Sequence, residues 1–271
     1  MKQSELIEKI KELEAKGIFD EHVDPIDYSI VKKVDEKFRY ENKTLSQKLK
    51  IFVDSRVIIN PFVRKHTFKS FNTRFYGMEK IKGIKGAMVT CNHVHMFDCL
   101  VVKYAFRKSK LKVIGADFNY RSDFLGKMMI EGGMYPLASD YKNMKRFNHA
   151  IDYELEHGHK VLIFPEQSEW LYYSKPRPRK PGAYHFATRN NVPVIPTFIT
   201  FRHSGIFSED GVEQYYFDYH VLDPIYPDPS LTIKENVEIM RKKDYEECVE
   251  CYKQVYGKDV VYDGKEVCES I

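Results

Sequence analysis

Between residues 86 and 200, short apolar runs alternate with stretches of helical periodicity, and this alternation constrains the fold more than any other feature. Ala87-Met88-Val89-Thr90, Lys112-Val113-Ile114-Gly115, Met134-Tyr135-Pro136-Leu137 and Val161-Leu162-Ile163-Phe164 read as short strands. The last is an unbroken apolar run ended by Pro165, as expected of a strand covered on both faces. Residues 97–108, 122–131, 142–157 and 182–190 read as helices, the third stopping at Gly158. Val192 to Thr200, interrupted by Pro193 and Pro196, and Tyr215 to Leu222 read as further strands, and 232–256 as a closing helix. Strands alternating with helices predict an α/β fold: a largely parallel mixed sheet flanked by helices.

The chain before this region is different. Leu6, Ile7, Ile10 and Leu13 give an amphipathic helix over 4–16, and 19–43 is polar and irregular. Residues 45–75 read as helix broken at Asn60-Pro61, since proline cannot continue a helix interior. This stretch mixes Lys48, Lys50, Arg56, Arg64, Lys65, Lys69 and Arg74 with many aromatic and aliphatic residues, a pattern suited to an anionic lipid surface or to a helical pair covering the core. The expected organisation is a helical N-terminal extension over 1–78, a core over 79–225, and a C-terminal helical segment over 226–271.

Charge sharpens this division. Residues 205–271 carry 16 Asp/Glu against 7 Lys/Arg, a net of −9, so the rest of the chain carries +13 within a total of +4. A basic body suggests an anionic partner: nucleic acid, a lipid surface or a phosphorylated substrate. The basic residues are spread over several elements with no nucleic-acid motif, which argues against nucleic acid. A mean hydropathy of −0.49 and short apolar runs leave no segment long enough to span a membrane. The N-terminus is charged throughout, unlike a secretory signal. The five cysteines (Cys91, Cys99, Cys248, Cys251 and Cys268) form an odd, sparse set, most simply reduced thiols in a cytoplasmic protein.

In open α/β sheets, sites lie at the carboxyl ends of strands. Two loops there carry ionisable groups: Cys91-Asn92-His93-Val94-His95-Met96-Phe97-Asp98 and Pro165-Glu166-Gln167-Ser168. A histidine held by a carboxylate is the usual hardware of general base catalysis. His93 and Asp98 are badly placed for contact on one regular helix. They meet only if His93 lies in the loop and Asp98 on the first helical turn.

Asn92-His93 followed by Asp98, then Phe164-Pro165-Glu166, then Val192-Pro193-Val194-Ile195-Pro196, in this order, resembles the glycerolipid acyltransferase family, which includes the 1-acyl-glycerol-3-phosphate acyltransferases. Lys180-Pro181-Gly182-Ala183 resembles that family's helix start, and the likeness covers roughly residues 80–225. The resemblance implies acyl transfer from acyl-CoA or acyl carrier protein, as co-substrate with no other cofactor or metal, to the hydroxyl of a lysophospholipid such as 1-acyl-glycerol-3-phosphate. His93 would be the base, oriented by Asp98. Phe164, Pro165, Glu166, Gln167 and Ser168 would bind the acceptor, and amides of the Glu166–Ser168 turn would stabilise an oxyanion. Location is expected at the cytoplasmic face of a membrane, peripherally.

The sequence departs from the family pattern at two arginines expected to hold phosphate: Ser139 and Glu169 stand there, and Gln167 replaces a glycine. Lys142, Arg146, Arg177, Arg179 and Lys180 are the candidates to take a phosphate or CoA instead. Two other readings compete. His93 and His95 suggest a metal-dependent hydrolase, although no further ligand pattern follows. A non-catalytic anionic-lipid-binding protein would use the basic body alone.

Overall fold

Ala87–Thr90 forms strand β2, buried at every residue, as its apolar run demands. The computed structural model describes residues 1–41 and 44–263; the side chain of Lys48 and the whole of Cys268 lie outside the described residues. Strands β1 (Arg74–Tyr76), β3 (Leu111–Gly115), β4 (Met134–Pro136), β5 (Lys160–Ile163), β6 (Val194–Phe207) and β7 (Glu213–Val221) join β2 in one sheet of order β1-β7-β6-β2-β5-β3-β4. Every neighbouring pair is parallel except β6 and β7. The sheet is therefore mixed and largely parallel, with helices at the N-terminus, as expected.

The period-2 alternation of buried strands divides the core. Met88, Val161 and Val194 face helices α6 (Tyr141–Glu156), α7 (Gly182–Arg189) and α8 (Ile233–Tyr256), where Phe147, Ile151, Tyr184 and Met240 pack. Val89, Leu162 and Ile195 face the other way, onto Val101, Val102 and Phe106 of α4 (Asp98–Ala105) and its flank. Helix α1 (Gln3–Ala15) packs apart from these faces: its Leu6, Ile10 and Leu13, with Phe19, surround Trp170.

Three details differ from the expected pattern. The helix of the N-terminal region is not broken at Pro61. It runs through α2 (Leu45–Asp54), a π-helical stretch Ser55–Ile59, α3 (Asn60–Arg64) and a second π-helical stretch Lys65–Ser70. The Asn60 amide reaches back to the Ser55 carbonyl, five residues away. This widened turn just ahead of Pro61 accommodates the ring and the missing donor that would disrupt a regular helix. The helix ends by Ser70, and residues 74–76 are the edge strand β1 rather than its last turn. Finally, the strand expected over 192–200 starts after Pro193 and extends to Phe207. It contains Pro196, which sits where pairing with β7 has yet to begin, since that register opens at Thr197 and Val221.

Helix 45–70 buries Ile59, Val63 and Thr67 and leaves Leu45, Leu49, Phe52, Val57 and Ile58 exposed beside exposed Arg56, Arg64, Lys65 and Lys69. Its flank and helix α5 (Phe124–Glu131) line an open apolar groove of about 500 Å³ with Val57, Ile58, Pro61, Phe62, Phe124, Leu125 and Met128. No helix of the described residues is long and apolar enough to cross a membrane.

Candidate active site

Register brings the two polar loops together. In the parallel pair β2–β5, Thr90 lies opposite Ile163, so Cys91-Asn92-His93 and Phe164-Pro165-Glu166 leave the sheet at one level on adjacent strands. Asn92 then fixes the first loop. Its amide nitrogen donates to the Ile199 carbonyl at 3.0 Å, and its oxygen accepts from the Ile199 amide at 2.8 Å, on β6. The sequence reading assigned no role to Asn92; a polar amide at the end of a fully apolar strand was the available signal.

Asp98 is the first residue of α4 and is completely buried. Its Oδ2 accepts from the Val94 amide at 2.9 Å, the His95 amide at 3.2 Å and His93 Nδ1 at 2.8 Å. The loop thus folds around one carboxylate oxygen, with His93 in the loop and Asp98 on the first turn. With Nδ1–H directed at Asp98, the free lone pair of the imidazole is on Nε2. Phe164 stacks on the ring at 4.1 Å between centroids. Burial disfavours the charged imidazole, but Asp98, and behind it Glu169, outweigh this and raise the His93 pKa above its ordinary 6.5. A partly exposed ring with this support can take a proton from a bound hydroxyl.

His95 faces elsewhere. It packs among Phe71, Phe97, Tyr172 and Phe217, and its Nδ1 accepts from the Phe97 amide at 3.1 Å. Burial lowers its pKa to about 4, so it is a neutral packing residue. The pairing of His93 and His95 on a metal is corrected by this orientation. No three His, Cys, Asp or Glu side chains converge as a metal cluster among the described residues.

Glu166 does not open toward an acceptor. It is buried, and both oxygens are occupied. Oε1 accepts from the Arg177 amide and Arg179 Nη1, each at 3.1 Å, and Oε2 from Arg177 Nε at 3.0 Å and the His93 amide at 3.3 Å. Pro165 and Ser168 are buried with it, while Gln167 is exposed. The amides expected to hold an oxyanion are engaged within the turn: Gln167 N donates to Phe164 O at 3.1 Å and Ser168 N to Glu166 O at 2.9 Å. Gln167 has φ +68°, a left-handed backbone, which accounts for the glycine of the family pattern at this place.

The candidate phosphate ligands are corrected in the same way. Arg177 is completely buried. Besides Glu166, it donates to Phe19 O at 2.9 Å, Ser168 Oγ at 3.0 Å, Ser168 O at 2.6 Å and His93 O at 3.2 Å, with its guanidinium 4.6 Å from the Trp170 ring centre. Arg179, also buried, reaches Cys248 Sγ at 2.9 Å and Asp244 Oδ1 at 3.5 Å on α8. Asp244 in turn accepts from Thr90 Oγ1 at 2.6 Å and Tyr184 OH at 3.0 Å. Lys180 pairs with Asp20 at 2.7 Å and Lys142 with Glu36 at 2.6 Å. Arg146 donates to Asp35 O, Phe38 O and Asn143 Oδ1. Arg177 and Arg179 are buried ties, whereas the Lys142 and Lys180 pairs lie at the surface, and spacing alone could not separate the two kinds because a basic loop carries no local sign of its burial.

The Acyltransferase family model matches residues 72–200. That span runs from the edge strand β1 through both loops of the site into β6. Among solved structures, the chain is similar to the 1-acyl-sn-glycerophosphate (LPA) acyltransferase of Thermotoga maritima, with 13% identity and a TM-score of 0.51, covering 80% of this chain and 98% of that one. At that identity the likeness speaks for the fold. No curated protein matches the chain. His93, Asp98 and Phe164-Pro165-Glu166 all lie inside the matched span, so the likeness to an acyltransferase domain rests on residues 72–200, the part of the chain that carries both loops of the site.

Proposed function

We propose that the protein transfers a fatty acyl group from a thioester, acyl-CoA or acyl carrier protein, to the hydroxyl of a lysophospholipid or related lipid alcohol. The observation that carries this reading is the 2.8 Å contact between His93 Nδ1 and buried Asp98 within the span similar to an acyltransferase domain. His93 Nε2 accepts the hydroxyl proton as the oxygen attacks the thioester carbonyl. The tetrahedral adduct then expels the thiolate, which takes the proton from the imidazolium, so the alcohol itself is the nucleophile and no acyl-enzyme forms. Phe164 holds the ring face, and Asn92 and Glu166 hold the loop from behind. The groove beside α5 is apolar and of a size suited to an acyl chain, and Phe62 within it packs edge-on to Phe97, next to Asp98. The test is release of CoA thiol from long-chain acyl-CoA, dependent on an added acceptor, with the acylated product resolved by chromatography. Release that ignores every lipid acceptor sinks the reading.

The pH profile follows from the environment of His93. Its pKa is raised, so the basic form is lost at a higher pH than for a free imidazole. kcat/KM should therefore climb with pH along a single limb centred above 6.5. Asp98→Asn removes the main support of the charged form. It should move the limb to lower pH while cutting kcat. A wild-type limb at or below 6.5 contradicts this assignment.

The reading also places the protein peripherally on the cytoplasmic face of a membrane, docked through helix 45–70. Exposed apolar residues there stand beside Arg64, Lys65 and Lys69. Binding to vesicles rich in anionic lipid should weaken as salt shortens the screening length. Arg64→Gln, Lys65→Gln and Lys69→Gln together should lower it on the order of 100-fold, at about 1 kcal/mol per basic residue. Unchanged vesicle sedimentation would leave this helix as a cover for the core.

A further inference from the structure

Residues 39–41 and helix α6 frame an open cavity of about 330 Å³, lined by Arg39, Tyr40, Glu41, Lys145, Arg146 and His149. Tyr40 fixes one wall. Its buried ring packs edge-on to Tyr135 and Phe147, and its hydroxyl donates to the Pro136 carbonyl at 2.8 Å, at the carboxyl end of β4. Arg146 is held in place on α6: Nη1 donates to Asp35 O at 3.0 Å and Asn143 Oδ1 at 2.6 Å, and Nη2 to Phe38 O. All of these acceptors are neutral, so its charge is not offset as those of Arg177 and Arg179 are at Glu166. Nε–H and one Nη2–H are left without an acceptor among the described residues, and these form the guanidinium edge that takes an oxyanion side by side. Arg39 and Lys145 are exposed and pair with no carboxylate among the described residues; the Lys145 ammonium stands 4.6 Å from the Tyr141 ring centre. Glu41 is the single acid of the lining, and its Oε1 lies 3.7 Å from His149 Nδ1.

We infer that this cavity binds a phosphate monoester, outside the acyl-transfer centre. A dianion there meets a fixed guanidinium edge and two further cations, Arg39 and Lys145, against one carboxylate that lies toward His149. Two sources supply such a group: the 3′-phosphate of CoA, or a free phosphorylated solute. Strand β4 is separated from β2 by β5 and β3, so its end lies about 14 Å sideways from the end of β2, a distance that an extended pantetheine arm and diphosphate can bridge. CoA as the source rests on the acyl-transfer reading above; phosphate binding in the cavity does not.

The experiment titrates the full chain by calorimetry with inorganic phosphate, CoA and dephospho-CoA, which lacks the 3′-phosphate. It is run at about pH 8, where a phosphate monoester is dianionic. With CoA as the source, wild type should bind CoA about tenfold or more tighter than dephospho-CoA, the scale of one hydrogen bond to a charged group. With a free solute as the source, inorganic phosphate should bind and the two forms of CoA should bind alike. In either case Arg39→Gln with Lys145→Gln should weaken the phosphate-dependent binding about tenfold or more, and Arg146→Met should remove it. Arg146→Met also frees the segment 35–38, so the double variant of exposed residues carries the test, and its melting should match wild type. His93→Ala should leave the phosphate-dependent binding unchanged, which keeps this site separate from acyl transfer. Wild type that neither binds phosphate nor distinguishes the two forms of CoA overturns the inference, as does phosphate-dependent binding that the double variant leaves intact; acyl transfer stands in both events.

Discussion

His93→Ala is expected to lower acyl transfer from acyl-CoA by about 10²–10⁴-fold, the usual contribution of a positioned general base. The fold should survive. The ring is partly exposed, and the loop keeps its shape through the Val94 and His95 amides on Asp98 and through Asn92 on β6. Circular dichroism and melting close to wild type would accompany the loss. Asp98→Asn should also fall steeply, because an amide can hold Nδ1 in the wrong tautomer and cannot stabilise the imidazolium. Asp98→Ala is less informative, since it would strand two buried amides and the imidazole at once. Wild-type turnover in His93→Ala would remove the base from the mechanism and require another group to take the hydroxyl proton.

Arg177→Met should cost about 3–5 kcal/mol of stability, the range for removing one partner of a buried ion pair. For a chain of this size that lowers the melting temperature on the order of 10 °C. The guanidinium binds Glu166, Ser168, Phe19 O and His93 O together, so its loss unpairs groups in three segments. Lysine should not rescue it, because a single ammonium cannot reproduce the planar fork. Glu166→Gln combined with Arg177→Met should recover part of the loss, since the two residues share one network. If Arg177→Met melts within a degree or two of wild type and only raises the KM for acyl-CoA, the arginine is a substrate ligand after all.

These two expectations mark where the sequence was legible. The strand ends were readable because fully covered parallel strands demand unbroken apolar runs. The requirement that Asp98 start a helix while His93 stays in the loop followed from helical geometry alone. Arg177, Arg179 and Glu166 looked like surface ligands because a basic loop and a polar turn carry no local sign of burial. Their partners arrive from Phe19, Asp244 and Cys248, more than 60 residues away in sequence. Pro61 was misread for a related reason. A proline rule written for regular helices has no place for a π turn, and nothing in Ser55–Ile59 announces one. Gln167 shows the converse: a departure from the family glycine was visible, but its left-handed backbone was not.

Asp244 on α8 accepts a hydrogen bond from Thr90, the last residue of β2, three positions ahead of His93. Helix α8 lies outside the span matched by the acyltransferase family. A gene fusion or truncation that kept residues 72–200 as a portable module would sever this tie. It would leave Arg179, Tyr184 and Thr90 facing solvent or a foreign neighbour. The segment that carries His93 and Asp98 is therefore structurally complete only together with α8, and a fragment ending at residue 200 should fold poorly or not at all.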